Sequence, residues 1–338
     1  MYSFMNDYSE GAHPSILQKL LETNLVQEPG YGEDRYSQKA RALLCEKMNR
    51  PDARIYFVAG GTQANLLVIA ALLQVHEAVI SATTGHIYSH EAGAIEAVGH
   101  RIITVDTPNG KLNVDDLRRV LENHRLRPHV VKPRLVYISN STELGTVYRK
   151  EELSQLSVFC RDNGLFLYLD GARLGQALTA PQNDLSLAEI AELTDAFYIG
   201  ATKNGGLLGE AVVINRPDLA PEFDYVMKQK GALMAKGRLI GIQFLELFKD
   251  DLYFRLADHA NTMARKLTFA LRKKGYDFLT EPETNQIFPL LPRTKVEHLK
   301  LKYQFYEWSN IDHQLVALRL ITSWATQESV IDQLINDL

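Results

Sequence analysis

The sequence has 338 residues, of which 46% are hydrophobic and 23% are charged, and its formal net charge is −4. This composition is typical of a water-soluble globular protein with one large or two moderate domains, and without a dense lysine and arginine stripe it argues against nucleic acid as a partner. No apolar run is long enough to cross a bilayer and the amino terminus lacks the features of a signal peptide, so we expect a cytoplasmic protein with no membrane partner. The isolated Cys45 and Cys160 predict neither a disulfide framework nor a metal site.

Two loops precede the first predicted strand. A polar, turn-rich opening that includes Asn6 leads to a short helix predicted at 16–24. The second loop has a glycine on each side of Tyr31 and ends at Asp34, which is a typical N-cap for the helix predicted at 36–48. A simple structural anchor explains Tyr31 as well as a functional role does.

A glycine loop follows the strand predicted at 55–58. It contains Gly60, Gly61 and Thr62 and leads into an apolar helix. A strand, a glycine loop and a helix start together present free N–H groups to an anion, and a threonine adds a hydroxyl. Gly61 and Thr62 are therefore candidate phosphate ligands, although a purely structural turn accounts for the same residues.

Three histidines lie near the next predicted strands. His86 follows the strand at 78–81 directly after a glycine, a ligand-facing position from which its ring can stack on a planar cofactor or transfer protons. A hydrogen-bonded loop histidine is the alternative. We expect His90 in solvent on the following helix. His129 precedes the strand at 135–138 in a proline-bounded segment, and it faces either the site or solvent.

Two short buried strands each lead to a charged residue. The strand at 166–170, FLYLD, ends at Asp170, three residues before Arg173, and the strand at 196–199 leads to Thr202-Lys203 and two glycines. An acid and a lysine at the ends of such strands suit pyridoxal phosphate, because the lysine bonds covalently to the cofactor and the carboxylate keeps the pyridine nitrogen protonated. The structural alternative is an Asp170–Arg173 surface pair and an unrelated exposed lysine.

Strands and helices alternate between residues 55 and 214, which predicts an α/β fold with a mostly parallel central sheet flanked by helices. The alternation then stops, and the remaining pattern predicts a smaller α+β carboxy-terminal domain. We expect a large domain at 1–245, including an amino-terminal arm, and a small domain at 246–338. Arg319 lies in an otherwise apolar strand of the small domain, where a buried guanidinium must find an anion.

Together these residues resemble the threonine aldolase and β-eliminating lyase group of pyridoxal phosphate enzymes, which have the aspartate aminotransferase fold (fold type I). The resemblance covers nearly the whole chain. Each motif is loose, but their order and spacing are specific. The motifs are Tyr31-Gly32-Glu33-Asp34, Gly61-Thr62-Gln63-Ala64-Asn65, Gly85-His86-Ile87 with Glu91-Ala92-Gly93, Asp170-Gly171-Ala172-Arg173, and Lys203 before its glycines.

The resemblance implies a role for each candidate residue. Lys203 would carry the cofactor, Asp170 would contact its ring nitrogen, and His86 would stack on its ring. The remaining cofactor contacts would come from Gly61, Thr62, Thr202 and Arg173. The substrate would be held by Arg173 and Arg319, which bind its carboxylate, with Asn6 and Tyr31 as further contacts. His129 matches the family's second active-site histidine, which lies near the substrate hydroxyl.

Some positions depart from the family pattern, and they bear on the substrate rather than on the cofactor. They are Asn6 and Gly60 in place of serines, Thr142-Glu143 in place of a His-Asn pair, and Ala235 in place of an arginine. The resemblance implies a lyase that cleaves the Cα–Cβ bond of a β-hydroxy-α-amino acid of the L-threonine or L-allo-threonine type. Alternatives are β-elimination, racemisation, transamination, or a catalytically silent binding protein. In the resembling family, loops equivalent to 29–34 and 228–238 reach across a two-fold interface, so the resemblance implies a homodimer or homotetramer with shared active sites.

Overall fold

The computed structural model describes residues 1–338. The amino-terminal region contains β1 (Tyr2–Ser3), α1 (Pro14–Thr23) and α2 (Arg35–Met48). Asp34 caps α2 as predicted, since its carboxylate accepts hydrogen bonds from the Ser37 N–H at 2.8 Å and from the Ser37 hydroxyl at 2.7 Å.

Strands and helices then alternate to form the central sheet. The elements are β2 (Arg54–Val58), α3 (Gly61–Leu72), β3 (Glu77–Ala82), α4 (His86–Ser89), α5 (Ala94–Ala97), β4 (Arg101–Val105), α6 (Val114–Asn123), β5 (Lys132–Ser139), α7 (Lys150–Asp162), β6 (Phe166–Asp170), α8 (Leu174–Leu178), α9 (Leu187–Leu193), β7 (Ala196–Gly200) and β8 (Glu210–Ile214). The spatial order is β2-β8-β7-β6-β5-β3-β4, and β8 is the one strand that runs opposite to the others. The predicted α/β fold with a mostly parallel sheet is confirmed.

Apolar clusters cover both faces of this sheet. Ile80, Val136, Leu167 and Phe197 belong to one cluster, and their chain neighbours Val79, Leu135, Phe166 and Tyr198 belong to the other. This alternation follows from the strand geometry, which points successive side chains to opposite faces. Because both faces are buried, the strands are mostly apolar, and their charged side chains lie at or near the strand ends.

The carboxyl ends of the parallel strands meet at one edge of the sheet. Ser139 at the end of β5 pairs with Asp170 at the end of β6, and Gly200 ends β7 beside them. Glycine permits a very close approach at this edge, because a Cβ atom on Gly171 would lie 1.8 Å from the carbonyl oxygen of Tyr198. The carboxyl ends of these strands are therefore held close together at the edge where open α/β sheets bind ligands.

The rest of the chain forms helices and a second, antiparallel sheet. It contains α10 (Phe223–Gln229), α11 (Arg238–Phe248), α12 (Leu252–Lys273), β9 (Gln286–Ile287), β10 (Leu290–Pro292), α13 (Arg293–Leu299), β11 (Tyr303–Gln304), β12 (Tyr306–Asn310), β13 (Leu315–Ile321), α14 (Glu328–Asp337) and the 3₁₀ turns Pro217–Leu219 and Lys249–Asp251. Strand β13 pairs with β10, β12 and β9. No helix combines the length and apolar character that a membrane span needs.

The carboxy-terminal sheet has its own apolar core, and the first residues of the chain belong to it. Phe4 lies in this core, and β1 pairs with β11. The predicted domain boundary after residue 245 falls inside α11, so the division at this position stays a prediction.

Candidate active site

A cavity of about 260 Å³ lies at the carboxyl edge of the central sheet. Its lining includes the predicted Gly61, Thr62, His86, Asp170, Arg173, Thr202 and Lys203. A second cavity of about 280 Å³ shares several of these side chains and extends to Arg319 on β13. The structure therefore brings together eight of the predicted site residues, from parts of the chain that are far apart in sequence.

Asp170 is buried at the end of β6, and its carboxylate accepts four hydrogen bonds. One oxygen accepts from the Tyr198 hydroxyl at 2.5 Å and from a backbone N–H at 3.0 Å, and the other from the Tyr137 hydroxyl at 2.6 Å and the Asn65 amide at 3.2 Å. Burial alone would raise the pKa of Asp170, but the charge of His86 and the two hydroxyl donors lower this pKa below its ordinary value. Asp170 is thus a fixed anion at neutral pH.

Asn65 connects Asp170 to His86 through a buried network. Its amide nitrogen donates to Asp170 and, at 2.7 Å, to Glu91, while its oxygen accepts from the Tyr168 hydroxyl at 3.0 Å. The same Glu91 oxygen lies 2.8 Å from Nδ1 of His86. The carboxylate therefore fixes the orientation of the His86 ring, which lines both cavities.

Lys203 projects into both cavities from the loop after β7. The loop is anchored by Asn204, whose amide donates to the Tyr253 carbonyl at 2.7 Å. The Lys203 Nζ lies 6.0 Å from the centre of the Tyr8 ring. Burial and the positive charge of Arg173 lower the pKa of Lys203. The lower pKa raises the fraction of neutral amine, which is the nucleophilic form.

Arg173 is held by an acid that sequence reasoning did not assign to it. Its guanidinium donates to both carboxylate oxygens of Asp7, at 2.7 and 3.0 Å, and both side chains are buried. Asn285 donates a further hydrogen bond to Asp7 at 2.9 Å. Since Asp7 takes the bidentate edge of the guanidinium, the remaining nitrogen is the one that can face a ligand.

Arg319 is a largely buried cation without a carboxylate partner. Its Nη2 donates to the Gln286 side chain at 2.8 Å, its Nε is buried without an acceptor, and its Cζ lies 5.5 Å from the centre of a Trp308 ring. Burial and the charge of Arg173 lower the pKa of Arg319 to about 10. Leaving such a group unpaired is costly, which favours an anionic ligand at this point.

Two further groups in the cavities were missed by sequence reasoning. His90 was expected in solvent; it is exposed, but it also lines the cavity beside Arg319, with its ring 5.6 Å from that of His86. The spacing of four residues between His86 and His90 could have predicted this position, because residues four apart lie on the same face of a helix. Glu143 accepts the His86 backbone N–H at 2.9 Å and the Ser139 hydroxyl at 2.7 Å.

Three predicted site residues, Asn6, Tyr31 and His129, do not line the two cavities of their own chain. The Asn6 side chain accepts from the Tyr8 N–H at 3.0 Å, so it shapes the turn that presents Tyr8 and does not line the cavities. Tyr31 is half exposed and lines a separate cavity of about 780 Å³.

The interpretation of His129 as an active-site histidine of its own chain is wrong. His129 is exposed and precedes β5, so it lies at the amino end of this strand, whereas the site lies at the carboxyl end. An eight-residue strand separates the two edges by about 25 Å.

Comparison with known proteins agrees with this geometry. The family model described as β-eliminating lyase matches residues 9–292. A low specificity L-threonine aldolase of Pseudomonas aeruginosa is 33% identical over 341 residues, which cover 99% of this chain and 96% of that protein. A low specificity L-threonine aldolase of Saccharomyces cerevisiae is 23% identical, with 86% of this chain and 76% of that protein covered.

A solved structure is also very similar. The threonine aldolase of Leishmania major superposes with a TM-score of 0.98 at 47% identity, covering 99% of this chain and 98% of that one. The match of the family model over most of the chain, together with relatives that are similar over its full length, shows that this chain belongs to the β-eliminating lyase family.

Proposed function

We propose that the protein is a pyridoxal-phosphate-dependent lyase that cleaves the Cα–Cβ bond of a β-hydroxy-α-amino acid such as L-threonine or L-allo-threonine, releasing glycine and an aldehyde. The observation that carries this proposal is the convergence of Lys203, Asp170 and the unpaired Arg319 on adjoining cavities. The similarity of the protein to threonine aldolases over its full chain supports the same reaction.

The residues of the cavity fit pyridoxal phosphate. Lys203 offers an amine of lowered pKa for the covalent bond, and Asp170 offers an anion for the ring nitrogen. The first N–H groups of α3, from Gly61 onward, have no partner within the helix and can bind the phosphate. When bound, the cofactor supplies an electron-accepting ring that stabilises the charge left on Cα after bond cleavage.

The chain supplies groups for the rest of the substrate. Arg319 binds the α-carboxylate, since its buried Nε lacks an acceptor. A group beside it must accept the hydroxyl proton as the bond breaks. With His129 remote, the histidines and acids of this chain that line the cavity with Arg319 and can accept a proton are His86, His90, Glu143 and Glu307, and the Lys203 amine lines the same cavity.

The reaction can be tested directly. Purified protein with added cofactor is incubated with L-threonine, L-allo-threonine and L-phenylserine, and glycine and aldehyde are measured, with the Lys203→Ala protein as the blank. We expect glycine and aldehyde in equal amounts from at least one substrate. Ammonia with a keto acid, or a change of chirality without glycine, would instead assign β-elimination or racemisation.

Arg319 gives a prediction about substrate binding. Changing Arg319 to Gln removes a charge-assisted contact, which is worth about 3 kcal/mol and corresponds to an increase in KM of about a hundredfold. Cofactor affinity should stay within about threefold of the wild-type value, because the residue lies on the substrate side. Arg272→Gln, which breaks the exposed pair with Glu281, is the matched control and should leave KM unchanged. An unchanged KM in Arg319→Gln would exclude Arg319 from carboxylate binding.

A homodimer or a dimer of dimers is the assembly we propose. Leu17 and Leu21 on α1 are 48% and 71% exposed, and Leu25, just past the end of this helix, is 92% exposed, so this part of the chain presents several apolar side chains to solvent. The loops at 29–34 and 228–238 contact each other, since the Tyr31 N–H donates to the Ala235 carbonyl at 3.0 Å. Both features suit a two-fold interface in which Tyr31 approaches the neighbour's site.

A cytoplasmic location also stays a prediction, and the free Cys45 and Cys160 agree with it.

Mixing two inactive variants tests the shared site. If Tyr31 acts on the neighbouring chain, a mixed dimer of Lys203→Ala and Tyr31→Ala has one site with both defects and one with neither. Activity should then return to about a quarter of the wild-type value in a random mixture of equal parts. If mixing restores nothing although an affinity tag on one variant co-purifies the other, Tyr31 acts only within its own chain. A monomer at micromolar concentration would refute the assembly itself.

A further inference from the structure

Glu210 is a buried carboxyl to which the proposed reaction assigns no role. It is the first residue of β8, and it pairs with Gly200 on β7 and with Val58 on β2. The loop to Lys203 begins at Gly200, and the loop to α3 begins at Val58. Glu210 therefore lies between the lysine and the helix start that can bind an anion, and it lines the same cavity as both.

The hydrogen bonds of Glu210 depend on where one proton resides. Oε2 accepts the Ala201 N–H at 3.2 Å, and Oε1 lies 2.9 Å from the Thr202 hydroxyl oxygen, which also accepts the Gly209 N–H at 3.0 Å. If Glu210 is ionised, the Thr202 hydrogen points to the carboxylate. If Oε1 is protonated, it donates to Thr202, and the Thr202 hydrogen is free to point into the cavity.

The surroundings favour the protonated acid at neutral pH. Burial raises the pKa of Glu210 to about 8, and the negative charge of Asp170 acts in the same direction, against the positive charge of Lys203. The segment 59–65, which approaches from the other side, carries no charged side chain. The other titratable groups that face this carboxyl are the phenols of Tyr168, Tyr198 and Tyr253.

We propose that Glu210 is a positioning residue that, as a neutral carboxylic acid, directs the Thr202 hydroxyl toward the phosphate of the bound cofactor, and that its ionisation weakens cofactor binding at alkaline pH. The inference rests on the proposed cofactor. An acid beside an anion site is otherwise unfavourable, because a carboxylate there would repel the phosphate and would also take the Thr202 hydrogen. Protonation removes both penalties at once.

The sign of the pH effect follows from linkage. The phosphate is close to a dianion above pH 7, so its charge changes little there. Below the pKa of Glu210 the acid is neutral and binding is strong. Above that pKa, binding requires uptake of a proton, and affinity falls by up to about tenfold per pH unit until the pKa of the complex is reached.

Cofactor titration of the apoprotein tests this. Dissociation constants for pyridoxal 5'-phosphate are measured by absorbance from pH 7.0 to 9.5 for the wild type and Glu210→Gln, with folding checked by circular dichroism. Glutamine reproduces the protonated acid, since its oxygen can accept the Ala201 N–H and its amide can donate to Thr202. Pyridoxal, which lacks the phosphate, is the control ligand. Its binding measures how pH affects the covalent bond to Lys203 without any contribution from the phosphate.

We expect similar affinities of the two proteins at pH 7.0 and about tenfold weaker binding to the wild type at pH 9.5. With pyridoxal this difference should vanish. Equal pH dependence in both proteins, or a difference that persists with pyridoxal, would overturn the role of Glu210. If the variant does not fold, the wild type alone gives the test, because its affinity for pyridoxal 5'-phosphate should fall relative to its affinity for pyridoxal as pH rises. Failure of the wild type to bind the phosphate cofactor even at pH 7.0 would overturn the proposed cofactor as well.

Discussion

Replacing Lys203 with alanine is expected to lower turnover by about three orders of magnitude or more, because the amine is the covalent attachment point of the cofactor and can also carry a proton in the same cavity. The purified wild-type protein should be yellow, and borohydride should fix the cofactor to the peptide that contains Lys203. The Lys203→Ala protein should not retain the cofactor after borohydride treatment and denaturation. Peptide mass spectrometry measures both outcomes.

The matched control for this substitution is Lys274→Ala, which removes an exposed lysine at the end of α12. This variant should keep the label on Lys203 and should keep its activity. The label on any other lysine of the wild type would overturn the site assignment. Loss of activity in Lys203→Ala with the label intact would show that another lysine carries the cofactor.

Several of the predicted site residues that line the cavities, Asp170 and Lys203 among them, lie at or just after the ends of buried strands. The apolar runs before Asp170 and Lys203 belong to β6 and β7, which are buried on both faces, so the polar residues that follow each run had to lie at the sheet edge. The same rule should have excluded His129, because it precedes its strand and therefore lies at the opposite edge. Nearness to a strand in sequence does not establish nearness to the site.

Other features could not be derived from local sequence. The alternation of strands and helices up to residue 214 predicts the sheet, but the antiparallel direction of β8, which places Glu210 at the site edge, depends on long-range pairing. The contact of Asp7 with Arg173 joins residues 166 positions apart. In the carboxy-terminal part, the sequence does not predict β12, because Tyr306–Asn310 is a short, largely exposed edge strand with only two aromatic residues among polar ones.

Changing Asp170 to Asn should leave the cofactor bound and lower turnover by about a thousandfold. The substitution keeps the volume and removes the charge that holds a proton on the ring nitrogen, so the ring accepts electrons poorly. Lys203 and the start of α3 still provide the covalent bond and the phosphate contacts. Because the pKa of Asp170 is lowered, its carboxylate stays ionised between pH 8 and pH 6. Titration of Asp170 should therefore cause no loss of wild-type activity in this range.

A cofactor analogue separates lost charge from lost structure in this variant. Pyridoxal phosphate methylated on its ring nitrogen carries a fixed positive charge, so it should restore part of the turnover to Asp170→Asn although no proton is held there. The Tyr198 hydroxyl can still donate to the amide oxygen, and the Tyr137 hydroxyl, which faces the other side-chain position, can accept from the amide N–H, so a folded protein is expected. Asp224→Asn, an exposed change that removes the same charge, is the matched control and should behave as the wild type. Near-normal turnover of Asp170→Asn with the ordinary cofactor would mean that Asp170 does not contact the ring nitrogen, and absence of rescue by the analogue would assign the loss to the Asp170 hydrogen-bond network.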